Sequence, residues 1–453
     1  MKNSSTHLVV ATLIVLCLIT GCARKPPERP NVILITIDTL RADHVSCYGY
    51  ERETTPFLDS LAARGSLFRN CHAPPCWTPP SMASIFTSVY PRTHGVRRGV
   101  AKEREIHGQE VLDESFLTLA ESLKKAGYRT FGLSSNAHMS RETGMAQGFD
   151  HFVAQWFSQA KDIHDAALEI KAQLRSGEPY FLWIHYLDPH SPYLARKPWI
   201  DTYARHPEHL DGWTAKTMEA MRADFGLVKN TPSIRETLID LYDSEISHTD
   251  LFISRLFDEV VDDRNALVIV SSDHGEAFAE HDFLGHAQSL YVEELKVPLI
   301  IALPDDQVAG KALTAAVSTV DIFPTVLDVL GIEIPAACRG RSVLGLMRGE
   351  EPEPRPLFAE FDRGRSLAAI ILDDWKLISA PEESTTAYLF DLIVDPREQN
   401  NLAGTESAKQ MLDRLQPALA RWQRDNPSFD APRGKINLTP DQERMLRSLG
   451  YLR

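Results

Sequence analysis

Beyond residue 22 the chain contains no apolar run near the roughly 20 residues that a membrane-spanning helix requires, so none is expected in the mature protein. Cysteine is scarce, with six in 453 residues, and two of these, Cys17 and Cys22, fall in the first 22 positions. The other four, Cys47, Cys71, Cys76 and Cys338, are too few to staple a fold of this length, and spacing alone does not pair them. Cys71, His72 and Cys76 match no structural zinc spacing. An excess of basic charge is also missing: 48 Lys and Arg stand against 62 Asp and Glu, a formal net charge of -14. Such a surface repels nucleic-acid phosphates, so no nucleic-acid partner is expected. A small anionic substrate stays open, because a bound cation reverses the field inside a pocket. There is no internal repeat and no low-complexity tract beyond a short proline-rich stretch.

What the first residues do contain is a targeting pattern. Lys2 precedes an apolar run from Leu8 to Ile19, too short to span a bilayer comfortably and suited to a signal-peptide core. Leu18-Ile19-Thr20-Gly21-Cys22 resembles a bacterial lipobox, in which the cysteine becomes the acylated N-terminus. This predicts a signal peptide over 1–21 and an exported lipoprotein anchored at Cys22, facing the periplasm or sitting on the outer membrane. Residues 22–30, rich in proline and charge, read as a tether.

The rest divides by composition. Runs of branched apolar residues read as buried parallel strands: Val32 to Ile37, Thr130 to Ser134, Phe181 to Tyr186 and Ala266 to Ser271, with Val297 to Leu303 a further candidate. Helical patterns separate them. One is opened by Thr55-Pro56 and closed by Gly65, one runs from Ser115 to Ala126, and one from Ile234 to Val261. Strands alternating with helices predict an α/β domain with a central, mainly parallel sheet flanked by helices, over 31–350. Acid and proline enrichment at 348–356 marks a boundary. Beyond it, short strand-like runs and a polar amphipathic helix near Ser407 to Arg424 predict a small C-terminal α+β subdomain with an antiparallel sheet, over 351–453.

Ligands of open α/β sheets bind beyond the carboxyl ends of the strands. Asp38 follows the first strand, Asn136 and His138 the second, Asp188 and His190 the third, and Asp273 and His274 the fourth. A single Asp after a strand is most often a turn or cap residue; four strands delivering such groups to one edge point to a site. Asp38, Asp273 and His274 are hard oxygen and imidazole donors suited to zinc, manganese, magnesium or calcium. His281 and His286 follow in a polar loop. Thr78, ahead of Pro79 and Pro80, stands at a helix start, where free N–H groups and the dipole favour an anion. A metal on its hydroxyl would make an alkoxide available near neutral pH.

At these residues the chain resembles the sulfatase family of the alkaline-phosphatase superfamily, from Asn31 nearly to the C-terminus. The segments that carry the resemblance are Asp38-Thr39-Leu40-Arg41 with Cys47-Tyr48-Gly49-Tyr50, Pro80-Ser81 through Thr87 with Tyr90-Pro91-Arg92-Thr93-His94-Gly95, Ser272-Asp273-His274-Gly275-Glu276, and Leu389-Phe390-Asp391-Leu392 with Asp395-Pro396, Glu398 and Asn401-Leu402-Ala403. The resemblance implies an alkaline-phosphatase-like fold, one divalent metal on Asp38, Thr78, Asp273 and His274, and a second held through Asp188, His190 and His286. It also implies Thr78 as nucleophile, with Asn136, His190 and His286 assisting, and contacts to a small anionic ester from Arg41, His138 and His281. The departures are specific. The position the family converts to formylglycine is Thr78, its arginine position is Met82, the second of its paired aspartates is Thr39, and its late lysine corresponds to His286. These shift the expectation from sulfate alone to sulfate or phosphate esters, cleaved through a covalent threonine ester. The alternatives are a true sulfatase with an unusual nucleophile, a phosphoethanolamine-type transferase, and an anion-binding lipoprotein without turnover.

Overall fold

A computed structural model describes residues 29–98, 100–103, 106–210, 231–261, 263–380 and 387–436. The apolar leader, Cys22 and most of the tether lie outside the described residues, as does the chain after 436.

The core is an eight-stranded sheet. In chain order its strands are β1 (Asn31–Ile37), β2 (Ser66–Phe68), β3 (Arg129–Ser134), β4 (His151–Ala154), β5 (Tyr180–Tyr186), β6 (Ala266–Ser272), β7 (Leu299–Ala302) and β8 (Lys311–Leu313). Across the sheet they run β8-β2-β7-β6-β1-β5-β3-β4. β1 is parallel to both neighbours, β5 and β6. Its side chains feed two cores, with Ile33, Ile35 and Ile37 in one and Val32 and Leu34 in the other. That is why β1 reads as an unbroken apolar run: both faces are covered.

The expectation of parallel strands needs one correction. β7, within the run Val297 to Leu303, is antiparallel to β6 and β2, and Val297 itself belongs to a small side sheet with Cys71 and Val317. The chain reaches β7 from β6 on the same edge, without a crossover helix to bring it back to the same end. β4 carries no clear apolar pattern, because all four of its residues are only half-buried.

The helices that matter to the site are α1 (Pro56–Arg64), α2 (Thr78–Thr87), α3 (Leu119–Lys125), α4 (Ala160–Leu174) and α5 (Pro232–Glu259). α3 starts at Leu119, later than the pattern from Ser115 suggests, because Thr118 and Glu121 close a capping box that fixes its first turn. α5 clamps the loop after β1: the Tyr242 hydroxyl donates to the Thr39 carbonyl (2.8 Å) and accepts from the Arg41 N–H (2.9 Å). Asp243, also on α5, takes His44 (2.7 Å) and Arg52 (2.7 Å).

After the proline-rich stretch, β9 (Leu357–Asp362), β10 (Ser366–Leu372), β11 (Trp375–Ser379) and β12 (Ala387–Asp391) form an antiparallel sheet in sequence order. The helix α6 (Lys409–Asp425) packs on it, Trp422 stacking on Phe358 with ring centres 4.4 Å apart. The chain then returns to the first part of the molecule, where Arg433–Ile436 pairs with residues 107–110.

Candidate metal and nucleophile site

The register of the sheet assembles the site. Ile37 pairs with Tyr186 on one side and Ser272 on the other, so Asp38 and Asp273 leave the sheet at the same level. Ser134 pairs with His185, which brings Asn136 to the same edge. α2 enters from above, every residue buried, with Trp77 extended as its N-cap and Pro79 and Pro80 in its first turn. Proline tolerates this position because first-turn N–H groups have no partner inside the helix. The Ser81 hydroxyl donates to the Asp273 carbonyl, tying the helix to the strand end.

Thr78, Asp38, Asp273 and His274 converge. Thr78 Oγ1 lies 3.3 Å from His274 Nε2 and 3.5 and 3.4 Å from the two oxygens of Asp38. His274 Nε2 is 3.6 Å from Asp38 Oδ1 and 3.4 Å from Asp273 Oδ2. All four residues are fully buried.

Surrounding groups orient these donors. Asp38 Oδ2 accepts from Asn136 Nδ2 (2.7 Å) and His185 Nε2 (3.2 Å). The Trp183 indole donates to Thr36 Oγ1 (3.1 Å), which in turn reaches His185 Nδ1 (2.8 Å). If Thr36 donates there, His185 carries its proton on Nε2, towards Asp38. Asp273 Oδ1 accepts the backbone N–H groups of Thr39 (3.2 Å) and His274 (3.0 Å). His274 Nδ1 donates to the Gly275 carbonyl (2.9 Å), which turns Nε2 and its lone pair towards the carboxylates. Thr39 holds this place at a φ of 58°, a strained backbone for a β-branched residue.

The electrostatics suit a cation. Burial raises the Asp38 carboxyl, but the imidazoles of His190, His185 and His274 outweigh it and hold Asp38 well below the usual range. Burial, reinforced by the charge of Asp38, pushes Asp273 up to about 7. Burial lowers the imidazoles of His274 and His190, against the opposing pull of the Asp38 charge. Asp273 Oδ2, buried, makes no hydrogen bond, and ligand atoms of Asp38, Asp273 and His274 all lie within 4.8 Å of one another. Two buried carboxylates, one imidazole and an unsatisfied oxygen fit a divalent metal.

The other expected residues fall into two groups. His190 and His286 border the cluster: the His286 ring centre is 4.5 Å from that of His274 and 4.9 Å from that of His190. His286 Nδ1 bonds to Glu276 Oε1 (3.1 Å), and His190 Nδ1 donates to the Ser191 carbonyl (2.5 Å). His138 is buried beside them, and its backbone N–H bonds Asn136 Oδ1 (2.9 Å). Burial, with the Arg363 guanidinium, lowers its imidazole to about 3.

Four of the expected residues have other partners. Asn136 binds Asp38, so it orients a carboxylate. The Asp188 oxygens are taken by Arg196 Nη2 (2.8 Å) and the Ala160 N–H at the start of α4 (2.6 Å). The Arg41 guanidinium points away from the cluster, to Asp43 (2.7 Å), Glu280 (2.5 Å) and the Glu276 carbonyl (2.9 Å). His281 bonds Glu293 (2.7 Å) and the Glu398 carbonyl (2.9 Å) and stacks on Tyr291, so it braces the loop. Cys71, His72 and Cys76 form no metal-sized cluster among the described residues, and the four described cysteines are free thiols.

The structure adds residues that the sequence reading passes over. His185 lies inside β5, where its neighbours read as core. Glu276 follows the Asp273-His274 pair, and burial pushes its carboxyl up to about 7. Arg363 comes from the turn between β9 and β10; its guanidinium carbon lies 5.0 Å from the centre of the Trp77 ring, next to Thr78. Only the Glu276 position, beside two ligands, was signalled by motif.

Comparison with known proteins follows the same outline. The family model described as Sulfatase matches residues 30–332, and that described as N-sulphoglucosamine sulphohydrolase, C-terminal, matches residues 279–425. A sulfatase of Formosa agariphila is 23% identical, over 90% of this chain and 89% of its own. The multifunctional alkaline phosphatase superfamily protein PehA of Trinickia caryophylli is 26% identical, over 86% of this chain and 95% of its own. The solved phosphonate monoester hydrolase of Silicibacter pomeroyi superposes with a TM-score of 0.70 at 22% identity, covering 89% of this chain and 96% of that one.

Proposed function

We propose that this chain, which belongs to the sulfatase family, is a divalent-metal-dependent hydrolase that cleaves a sulfate or phosphate ester through a covalent ester on Thr78. The observation that carries this reading is the position of the Thr78 hydroxyl, buried at the first turn of α2 and 3.3 Å from His274 Nε2, in a cluster with two buried carboxylates. When bound, a divalent ion on Asp38, Asp273 and His274 would lower the pKa of a nearby hydroxyl and offset charge on the ester. Thr78 Oγ forms the new bond to sulfur or phosphorus, and the bond from that atom to the leaving oxygen breaks. The hydroxyl proton passes to the leaving oxygen, relayed by His190 or His286, whose Nδ1 atoms are already bonded and whose Nε2 atoms serve as acceptors. The positive end of the α2 dipole, at Thr78, favours the developing negative charge, although Pro79 and Pro80 supply no N–H groups there. Water then attacks the Thr78 ester, its oxygen entering the released sulfate or phosphate and a proton returning to Thr78.

The nearest competing nucleophile is Cys76. Its thiol is buried in a separate apolar cluster, and burial together with the Glu294 carboxyl raises it well above the usual range. Both features disfavour a thiolate. The family membership alone leaves sulfate and phosphate esters open, and the similarity to PehA favours testing both.

Thr78→Ala should lose about 10³-fold or more in turnover with the fold intact, because it removes only a hydroxyl and a methyl group. The assay is a panel of aryl sulfate, phosphate monoester, phosphodiester and phosphonate ester, with rapid-quench peptide mass spectrometry to locate a trapped group. Near-wild-type activity in Thr78→Ala, or a modified Cys76, would overturn the assignment. We also propose that Cys22 carries the lipid that anchors the protein on the periplasmic side. The intact mass of the exported protein tests this, and a lipid-free mature N-terminus at another residue rejects it.

A further inference from the structure

Arg41 also lines a cleft of about 660 Å³. None of Asp38, Thr78, Asp273, His274, His190 or His286 lines it. Four cations do: Arg69 just after β2, Arg235 on α5, Lys296 ahead of β7, and Arg397 in the loop after β12. They come from four separate segments, so the cluster is not one basic stretch of chain.

The acids of the cleft are already engaged. Asp43 and Glu280 both pair with Arg41, so this trio carries one negative charge in excess. Glu293 pairs with His281 at 2.7 Å. Among the described residues, neither Arg69, Arg235, Lys296 nor Arg397 has a carboxylate within salt-bridge distance; Arg235 donates only to the Ala279 carbonyl (2.6 Å). In a chain with 62 acidic and 48 basic side chains, a cleft lined by five Arg and Lys against three Asp and Glu runs against the overall composition. Like charges gathered this way repel, and multivalent anions relieve that repulsion.

We propose that this cleft binds a small polyanion, a molecule bearing two or more sulfate, phosphate or carboxylate groups, at a site separate from the Thr78 cluster. The volume accommodates a ligand larger than one inorganic anion, and the cations are spread over several walls, which favours a ligand with several charged groups. Arg69 and Arg397 are exposed and reach the ligand from the rim, while Arg235 and Lys296, half-buried, contact it deeper. The site does not depend on the hydrolytic reading, since no catalytic group takes part.

Calorimetric titration of the full chain with naphthalene trisulfonate, benzene tricarboxylate and inorganic pyrophosphate tests this, the three probes separating the anion types. At least one should bind at about 1 mM or below, and its affinity should fall with added salt. In the double variant R69Q/R397Q binding should weaken about tenfold or more, with melting temperature unchanged because both side chains are exposed. In Asp273→Asn it should stay near wild type. Equal affinity in R69Q/R397Q, loss in Asp273→Asn comparable to that in the double variant, or no binding of any probe would each overturn the proposal.

Discussion

Arg363 places a guanidinium beside the indole of Trp77, the residue before Thr78, from a turn late in the chain. Burial lowers His286 to about 4, and the Arg363 charge contributes to that lowering, so the cation acts on the border of the Thr78 cluster. An anionic substrate should be held by it before and during reaction. Arg363→Ala should therefore raise KM for a charged ester about tenfold with a smaller change in kcat, and Arg363→Lys should recover part of the loss. Steady-state kinetics over both variants checks this, and an unchanged KM would remove Arg363 from substrate binding. His281 makes a different, structural prediction. Burial opposes its charge, but Glu293 and the Glu398 carbonyl accept from both ring nitrogens and raise its pKa above the ordinary 6.5. A cation favoured in the folded state contributes stability below the unfolded pKa, and that contribution fades as pH rises through the folded value. The melting-temperature gap between wild type and His281→Gln should therefore be wider near about pH 6 than near about pH 9. Sequence brought His281 to notice because it is a histidine in a polar loop, and the structure shows it bracing that loop. His185 escaped notice for the opposite reason: it sits among Trp183, Ile184 and Tyr186, where residue type alone reads as strand core. Only its distance to Asp38 reveals a supporting role.

At the scale of elements, the strands that carry site residues were legible because each is an apolar run ending in a polar group. β1, β3, β5 and β6 all read that way, and their parallel register puts Asp38, Asn136 and Asp273 at one edge. The direction of β7 was not legible, since an apolar run has no polarity of its own; the connection from β6 decides it. The C-terminal sheet was expected, but not how it joins the rest. Lys376 on β11 is buried and bonds both oxygens of Glu398 (2.7 and 2.9 Å). Glu398 also accepts the Val292 N–H (3.1 Å), and its carbonyl accepts from His281 (2.9 Å). One buried ion pair thus joins the C-terminal sheet to the segment that carries His281 and Val292. Lys376→Met should leave the Glu398 carboxylate buried without its cation and destabilise the protein by roughly 3–5 kcal/mol. Denaturant unfolding measures it, and Lys376→Met combined with Glu398→Gln should recover part of the loss. A change below about 1 kcal/mol in the single variant would show the pair to be dispensable.

For the whole molecule, the site sets a link between metal and stability that does not depend on knowing the substrate. The sheet and α2 hold Asp38 and Asp273 buried, each within 3.6 Å of the same His274 nitrogen. Without a cation these two carboxylates oppose each other in a medium that solvates charge poorly, so the metal-free fold carries an electrostatic cost. A bound ion relieves that cost only in the folded state, where the three donors are brought together from β1 and β6. Binding to the folded state alone at a hundredfold excess over Kd stabilises by about 2.7 kcal/mol. Thermal unfolding after chelation and after return of zinc, manganese, magnesium or calcium should therefore show a higher melting temperature with at least one of these ions. Asp273→Asn should lose most of that increment, because a neutral amide replaces an anionic ligand. In chelator the same variant should unfold no earlier than wild type, and later if the opposed carboxylates dominate, because the substitution removes one of two buried negative charges. The pair of outcomes separates a metal site from ordinary packing. A structural Asp273 would make Asn destabilising with and without metal, whereas a ligand makes it costly only when metal is present.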